Sequence, residues 1–249
     1  MSGHSKWSTI KHKKGAADAK RGQLFSKLAR AIMVATKEGG PDPLANNSLA
    51  AAIDKARSYS MPKDNIDRAI ERGSGQAGGD SWEAITYEGY GPNGVALIVE
   101  ALTDNRNRTA ADVRNIFNTQ NGALGQPGTV AWIFERRGSI VVDAGKHDED
   151  SVMTAAIEAG ADDVIADEGS FQVLTDPTMF TAVRDALQAA GIEFEQAELT
   201  MIPKSTVKLE EADARKTIRL IDALEDCDDV QEVFANFDVS DEVLEAVAE

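Results

Sequence analysis

The segment 73–79, which reads GSGQAGG, constrains the fold most, because a run this rich in glycine interrupts helices and sheets alike. Before it, apolar residues recur with the 3.6-residue period of helices, and after it they alternate as in strands. The chain has 249 residues, more than one small domain needs. The sequence therefore predicts a helical N-terminal domain over residues 1–79, ending in a flexible linker, and sheet-containing domains beyond it.

Three short helices are predicted in this N-terminal domain. The second begins near Asn46 and the third near Pro62, residue types that favour the first turn of a helix. Each helix is too short to be stable alone, so we expect them to pack as a bundle. Residues 1–15 have no such period and are predicted to be a mobile arm. The apolar stripe of the first helix consists of Leu24, Phe25, Leu28, Ala31, Ile32 and Ala35.

Beyond the linker, the predicted elements within residues 138–202 follow the order β-α-β-β-α-β, the ferredoxin-like arrangement. The predicted elements between the linker and residue 138, and those after residue 202, are each one half of another such cycle. The sequence therefore predicts an α+β fold with an N-terminal three-helix domain followed by two ferredoxin-like domains, one inserted in the other. The predicted ranges are 80–135 plus 205–238 for the outer domain, 136–204 for the inserted domain, and 239–249 for a short C-terminal helix. The predicted strands are 84–90, 95–103, 129–134, 139–142, 164–166, 171–174, 193–201, 206–209 and 230–237.

Charge is distributed unevenly along the chain. The formal net charge is −16, from 26 Lys and Arg against 42 Asp and Glu. Residues 1–72 contain 14 of the cations and 7 of the anions, which gives +7, and the remaining 12 and 35 give −23 for residues 73–249. Such asymmetry indicates an anionic partner for the basic end.

A dense group of cations around one tryptophan is the first candidate binding site. Cationic side chains neutralise phosphates, and an aromatic ring between them can stack on an unpaired base. The alternative interpretation is a solvated charge run that aids solubility. We also predict that Lys27 and Arg30 lie on the side of the first helix opposite to its apolar stripe. The group itself consists of Lys6, Trp7, Lys11, His12, Lys13, Lys14, Lys20 and Arg21.

Two further candidates lie beyond the linker. Residues 104–109, DNRNRT, stand between a predicted strand and a helix start, where Asn105, Arg106 and Arg108 are candidates for phosphate binding. The equally acceptable alternative is that Asn107 or Thr109 merely caps the helix. The pair Arg136 and Arg137 lies at the predicted crossing between domains, where structural packing is the favoured alternative. All five side chains are predicted as nucleic-acid contacts with these alternatives open.

The sequence contains no catalytic triad, P-loop or calcium-loop pattern. The pattern Gly89-Tyr-Gly91-Pro-Asn-Gly94 leads into another predicted strand rather than a helix, so it does not indicate a dinucleotide site. We therefore expect no enzyme activity, cofactor, metal or small-molecule substrate. A membrane span is not expected either, since apolar runs are short. The single cysteine, Cys227, is typical of a reducing compartment, and a cytoplasmic location is expected.

Four segments carry a resemblance to a known family: GHSKWSTIKHKK at 3–14, MPKDNI at 61–66, YEGYGP at 87–92 and DNRNRT at 104–109. In these segments, and over essentially the whole chain, the sequence resembles the YebC/TACO1 family. The resemblance implies an N-terminal helical domain, two α/β domains, no cofactor and no catalysis. Members are described as DNA-binding transcriptional regulators or as translation factors that act at the ribosome, including on stalled elongation. The chain starts at the family's opening motif without a presequence, as in bacterial members.

The basic arm suits either nucleic acid. Reading duplex DNA normally requires an element that fits the major groove, whereas structured RNA is recognised by shape, backbone and exposed bases. The outward residues of the predicted helices are mostly Lys and Arg, which suit phosphates better than bases. We therefore favour contact with ribosomal RNA, and the ribosome as a partner, over DNA-binding transcriptional regulation. A protein-interaction module that uses the acidic domains is the third interpretation.

Overall fold

A computed structural model of the chain describes residues 18–75, 82–167 and 169–248, together with Gly3 and Trp7. The N-terminal part contains the three predicted helices, α1 (Asp18–Gly39), α2 (Asn47–Ser58) and α3 (Lys63–Ser74). The side chain of Asn46 caps α2 by accepting a hydrogen bond from the Leu49 backbone at 3.0 Å. The helices share one core, to which the predicted stripe of α1 contributes Leu28, Ile32 and Ala35.

The predicted linker begins later than the sequence indicates. Gly73 belongs to α3, and a Cβ atom at this position would lie 2.6 Å from the Met33 carbonyl oxygen. This glycine is therefore required for close packing of α3 against α1 rather than for flexibility. Residues 76–79 of the predicted linker lie outside the described residues.

The prediction of a mobile arm is wrong at the two described positions within it. Gly3 and Trp7 have helical backbone, and Gly3 is buried. A Cβ atom at Gly3 would come within 2.9 Å of the Phe237 ring, so Gly3 packs closely against Phe237. The arm's basic residues Lys6, Lys11, His12, Lys13 and Lys14 lie outside the described residues.

Strands and helices alternate from residue 83 onward. The helices are α4 (Arg106–Thr119), α5 (Glu149–Glu158), α6 (Phe180–Ala189), α7 (Glu211–Glu225) and α8 (Asp241–Ala248). The strands are β1 (Glu83–Tyr90), β2 (Ala96–Thr103), β3 (Ala123–Leu124), β4 (Phe134–Asp143), β5 (Asp163–Asp167), β6 (Ser170–Thr175), β7 (Phe194–Pro203), β8 (Val207–Lys208), β9 (Val230–Ala235) and β10 (Phe237–Asp238).

The first sheet is antiparallel in the order β3-β1-β2-β9. Helices α4 and α7 supply Phe117, Ile218 and Leu224 to the core that also contains Leu97 and Val233. The predicted strand 129–134 is wrong: residues 131–133 form a 3₁₀ turn, and the third strand of the sheet is β3. The apolar residues that suggested a strand instead fill a separate cluster with Ala96, Ile98 and Phe234.

The predicted strand 206–209 is also corrected, since only β8 forms there. It pairs in parallel with β10 and does not join the first sheet. By contrast, the predicted β-α-β-β-α-β cycle is confirmed, because β4, α5, β5, β6, α6 and β7 follow one another in that order.

The four strands of this cycle form a second antiparallel sheet in the order β5-β6-β4-β7, the ferredoxin-like order. Its core includes Ile140, Val152, Val173, Val183 and Leu187. The fold is therefore α+β, with a helical N-terminal region followed by sheet domains, whereas the exact domain boundaries remain predictions. None of the helices in the described part of the chain has the length and apolar character to cross a bilayer.

Candidate nucleic-acid interface

One face of α1 is fastened to the C-terminal end of α7. Three donors spaced along this face bond to main-chain oxygens there, and we call these contacts the α1 clasp. A helix end leaves carbonyl groups without partners and carries partial negative charge, so amide and cationic donors are favoured at it. The bonds run from Gln23 Nε2 to Asp226 O (2.8 Å), from Lys27 Nζ to Glu225 O (2.5 Å) and from Arg30 Nη1 to Asp228 O (2.6 Å).

The prediction that Lys27 faces outward as a phosphate contact is contradicted. Its side chain is buried, with 9 % of the residue exposed, because the end of α7 covers that side of α1. Burial lowers the pKa of the ammonium group, although the nearby Glu225 carboxylate opposes this shift. Lys27 therefore stabilises the contact between two parts of the protein.

Next to the clasp, a buried carboxylate joins α1, β2 and α4. Asp229 Oδ2 accepts hydrogen bonds from Thr109 Oγ1 at 2.7 Å, Arg108 Nη2 at 2.9 Å and Thr103 Oγ1 at 3.2 Å. Arg30 Nη1 lies 3.7 Å from Asp229 Oδ1. Burial alone would raise the pKa of Asp229, but these hydrogen bonds and the Arg108 charge outweigh it and hold the pKa below its usual value.

Arg30 is also committed to internal contacts. Its guanidinium lies over the Trp82 ring, 4.3 Å from the ring centre, and it bonds within the α1 clasp. The predicted role of Arg30 as a phosphate contact is therefore wrong for this conformation. The reason is the same as for Lys27, since an acidic segment distant in sequence supplies its partners.

The residues of the motif 104–109 differ in the contacts that they make. Asn105 caps α4 by accepting a hydrogen bond from the Arg108 backbone at 3.1 Å, so the cap is neither Asn107 nor Thr109. Besides its bond to Asp229, Arg108 donates to Asp104 Oδ1 at 2.8 Å. Asn105, Arg106 and Arg108 are all exposed, but Asn105 caps the helix and Arg108 pairs with carboxylates.

Arg136 and Arg137, where the chain enters the second sheet, also differ in their contacts. Arg137 lies 2.5 Å from Asp162 Oδ2 and 3.3 Å from Glu135 Oε1, which supports the packing alternative for this residue. Arg136 is exposed at a cavity of about 640 Å³ between the N-terminal helices and the two sheets.

Acidic groups surround that cavity. Lys55 Nζ on α2 lies 2.5 Å from Glu232 Oε1 on β9. Burial raises the pKa of both Glu100 and Glu198, and it raises the pKa of Tyr59 to about 12. Acidic residues outnumber basic ones in the lining of the cavity, which disfavours a polyanion there although Arg136 lines it.

A further ion pair ties α2 to the second sheet domain. Arg184 Nη1 on α6 lies 2.7 Å from Asp54 Oδ2. Together with the α1 clasp and the Lys55–Glu232 pair, this contact holds the N-terminal helices against both sheets.

Trp7 is predicted to stack on a base. In the structure it is partly buried and packs against the core of the first sheet domain. The predicted contacts whose side chains are described and exposed are Arg21, Asn105, Arg106, Arg108 and Arg136. Lys20 lies in α1, and its side chain is outside the described part of the structure.

Sequence reasoning missed the exposed Trp132, of which 68 % is accessible to solvent. It stands next to a segment that contains Gly125, Pro127 and Gly128. These turn-forming residues were the available signal for an exposed loop.

Substitutions on α1 separate structural from binding cations. Lys27→Met is expected to lower the free energy of unfolding by about 1–2 kcal/mol, because the α7 carbonyl loses its charged donor, and to leave nucleic-acid affinity unchanged. Arg21→Met, a matched change at an exposed position, should leave the free energy of unfolding unchanged and reduce the salt dependence of binding by about one phosphate contact. Urea unfolding and binding titrations at several salt concentrations measure both effects. If both variants changed the free energy of unfolding and the salt dependence of binding in the same way, the structural role of Lys27 and the binding role of Arg21 would be contradicted.

Profiles of one family cover most of the chain. The profile described as "TACO1/YebC protein N-terminal domain" matches residues 5–76, and that of the "TACO1/YebC second and third domain" matches residues 82–237. A "Probable transcriptional regulatory protein" of Rubrobacter xylanophilus is 59% identical over 250 residues, covering 100% of both chains. Another of the same description, from Trichlorobacter lovleyi, is 55% identical and covers 98% of this chain and 99% of its own.

Among solved structures, a conserved hypothetical protein from Aquifex aeolicus has the same overall fold. It superposes with a TM-score of 0.80 at 46% sequence identity, covering 91% of this chain and 94% of the other.

Proposed function

The chain belongs to the TACO1/YebC family, and from that premise we propose that it regulates gene expression by binding the phosphate backbone of structured RNA, with ribosomal RNA as the target. The proposal assigns a binding role and no catalysed reaction. The basic N-terminal segment, up to Arg21, makes the leading contacts.

The observation that carries the proposal is how the basic segment is attached to an acidic body. Residues 1–72 carry +7 and the rest of the chain −23, from the counts given above. The α1 clasp fixes the start of α1 against the acidic end of α7. We infer that the basic residues before α1 contact the phosphate backbone, while the acidic surface of the body is repelled by it. This arrangement orients the protein on a polyanion.

RNA is favoured over DNA by the surfaces of the N-terminal helices. On α1, the amide and cationic donors of Gln23, Lys27 and Arg30 are engaged in the clasp and do not reach base edges. On α3, exposed cations alternate with the exposed carboxylates of Asp64, Asp67 and Glu71. Neither helix presents the uniform basic and polar face that a recognition helix lays into the major groove.

A second candidate function is DNA-binding transcriptional regulation. The observation that favours it is the printed description of the relatives from Rubrobacter xylanophilus and Trichlorobacter lovleyi, each a "Probable transcriptional regulatory protein". The same basic segment would then neutralise the phosphates of duplex DNA.

Two paired measurements distinguish these functions. We expect the protein to sediment with ribosomal particles at moderate salt and to bind a ribosomal RNA fragment more tightly than a DNA duplex of equal length at the same salt concentration. Migration free of ribosomes, together with a sequence-specific footprint on DNA, would replace the RNA proposal by the transcriptional one. Binding to neither nucleic acid at low salt would exclude both.

A further inference from the structure

A loop between β3 and β4 is built around one buried carboxylate. Glu88 on β1 is 7 % exposed, and its Oε1 accepts a hydrogen bond from the Gly128 backbone at 2.7 Å. Its Oε2 accepts from the backbones of Val130 at 2.7 Å and Ala131 at 2.8 Å. Burial alone would raise the pKa of Glu88, but these three donors outweigh it, and the pKa lies below its usual value. The carboxylate is therefore ionised at neutral pH and holds the loop in one conformation.

Further bonds within the loop fix its outer end. The Gly125 backbone donates to the Glu88 carbonyl at 2.7 Å, and Thr129 Oγ1 donates to the Gln126 carbonyl at 2.6 Å. Gly128 has a φ of +87°, a conformation that favours glycine. The loop is thus rigid although residues 125–128 are exposed.

This rigid loop displays Trp132. The indole Nε1 donates to the Thr129 carbonyl at 3.1 Å, which fixes the ring by one edge, while 68 % of the residue is accessible. The chain has three tryptophans, and the other two are engaged, Trp7 against a core and Trp82 under the Arg30 guanidinium. A large aromatic ring held open to water is a feature of binding surfaces rather than of cores.

A lysine on the chain segment that is bonded to this turn suits a nucleic-acid partner. The Lys204 backbone donates to the Ile133 carbonyl at 2.8 Å, so Lys204 adjoins the turn that carries Trp132, and its side chain is exposed. An aromatic face next to a cation matches one nucleotide, whose base stacks while its phosphate is neutralised.

We propose that Trp132 is a stacking platform for an unpaired base of the bound RNA, and that Lys204 contacts the adjacent phosphate. The inference rests on the proposed function and adds a second contact region, separate from the basic N-terminal segment. The pre-formed loop reduces the entropy lost on binding, since its backbone is ordered before the RNA arrives.

The test compares Trp132→Ala with Trp132→Phe, which keeps an aromatic face. The probes are a single-stranded RNA of mixed sequence without self-complementarity, the DNA strand of the same sequence and a blunt RNA duplex of equal length. We expect Trp132→Ala to weaken binding of the single-stranded RNA by about five- to a hundredfold, the range for losing one stacked base. Trp132→Phe should retain most of the affinity, and duplex binding should not change. Trp132→Ala should weaken binding of the DNA strand by a similar factor, because stacking and a phosphate contact do not involve the 2′-hydroxyl.

Lys204→Met supplies a second measurement. It should reduce the slope of log affinity against log salt by about one contact, with little dependence on sequence. The unfolding midpoint of each variant is the control for folding.

Unchanged affinity of Trp132→Ala for single-stranded RNA, with a wild-type protein that binds it, would overturn this inference and leave the proposed function standing. A wild-type protein that binds none of the three probes would instead overturn the proposed function itself. Equal losses on single strand and duplex would also exclude stacking on an unpaired base.

Discussion

Simultaneous replacement of Lys11, Lys13 and Lys14 by Glu is expected to weaken RNA binding by at least about a hundredfold at roughly 0.1 M salt. Each lysine that neutralises a phosphate releases a bound counterion, and each glutamate adds repulsion from the same backbone. The slope of log affinity against log salt should fall by about two to three units, because about 0.7–0.9 is contributed by each lost contact. Fluorescence anisotropy with a labelled ribosomal RNA fragment over a range of salt concentrations measures both quantities.

The matched control carries the same change of net charge at three exposed lysines elsewhere in the chain. Lys146, Lys208 and Lys216 lie in the acidic part of the chain, and their joint replacement by Glu should change the affinity far less. Equal losses for the two triple variants would mean that total charge, rather than the N-terminal segment, governs binding. If the triple variant at Lys11, Lys13 and Lys14 kept full affinity, the N-terminal segment would not be part of the interface.

Asp229→Ala is expected to lower the free energy of unfolding by about 1–3 kcal/mol, the range for leaving buried hydrogen-bond donors without their acceptor. The substitution leaves Arg108, Thr103 and Thr109 without a common acceptor and removes the ion pair with Arg30. Asp228→Ala is the control, because Asp228 is exposed and its side chain accepts one hydrogen bond, from Gln23 at 3.1 Å. Urea unfolding followed by circular dichroism measures the difference, and similar losses for both variants would contradict the network.

The same residue predicts how the free energy of unfolding depends on pH. The pKa of Asp229 is lower in the folded than in the unfolded protein, so its contribution is fully present above the unfolded value of about 3.9. That contribution disappears as the pH falls through the lower folded value. The difference in the free energy of unfolding between wild type and Asp229→Ala should therefore become smaller in acid and stay constant near neutral pH.

The elements with strong periodicity were predictable from the sequence. The stripe of α1 and the order of elements in the second sheet follow directly from where the apolar residues stand. The segment 129–134 was mispredicted because the same apolar residues satisfy a strand pattern and a cluster between sheets. Periodicity reports which residues are buried, and it does not report which surface buries them.

The roles of the candidate cations were less predictable. Lys27 and Arg30 have partners that stand 198 positions away in the sequence. A local count of charges identifies cations but cannot separate those that bind an external phosphate from those that cap a distant helix. Trp7 and Trp132 also show that local sequence does not predict exposure. Trp7 lies among cations in the sequence yet packs on a core, whereas Trp132 lies in a loop and is exposed.

The α1 clasp has an evolutionary consequence. Its three acceptors are main-chain oxygens, of Glu225, Asp226 and Asp228, and every residue type carries that group. Substitutions at these three positions therefore leave the main-chain acceptors of the clasp in place, although a change at Asp228 also removes the carboxylate that bonds to Gln23. Purifying selection for this attachment acts instead on the donor side chains Gln23, Lys27 and Arg30.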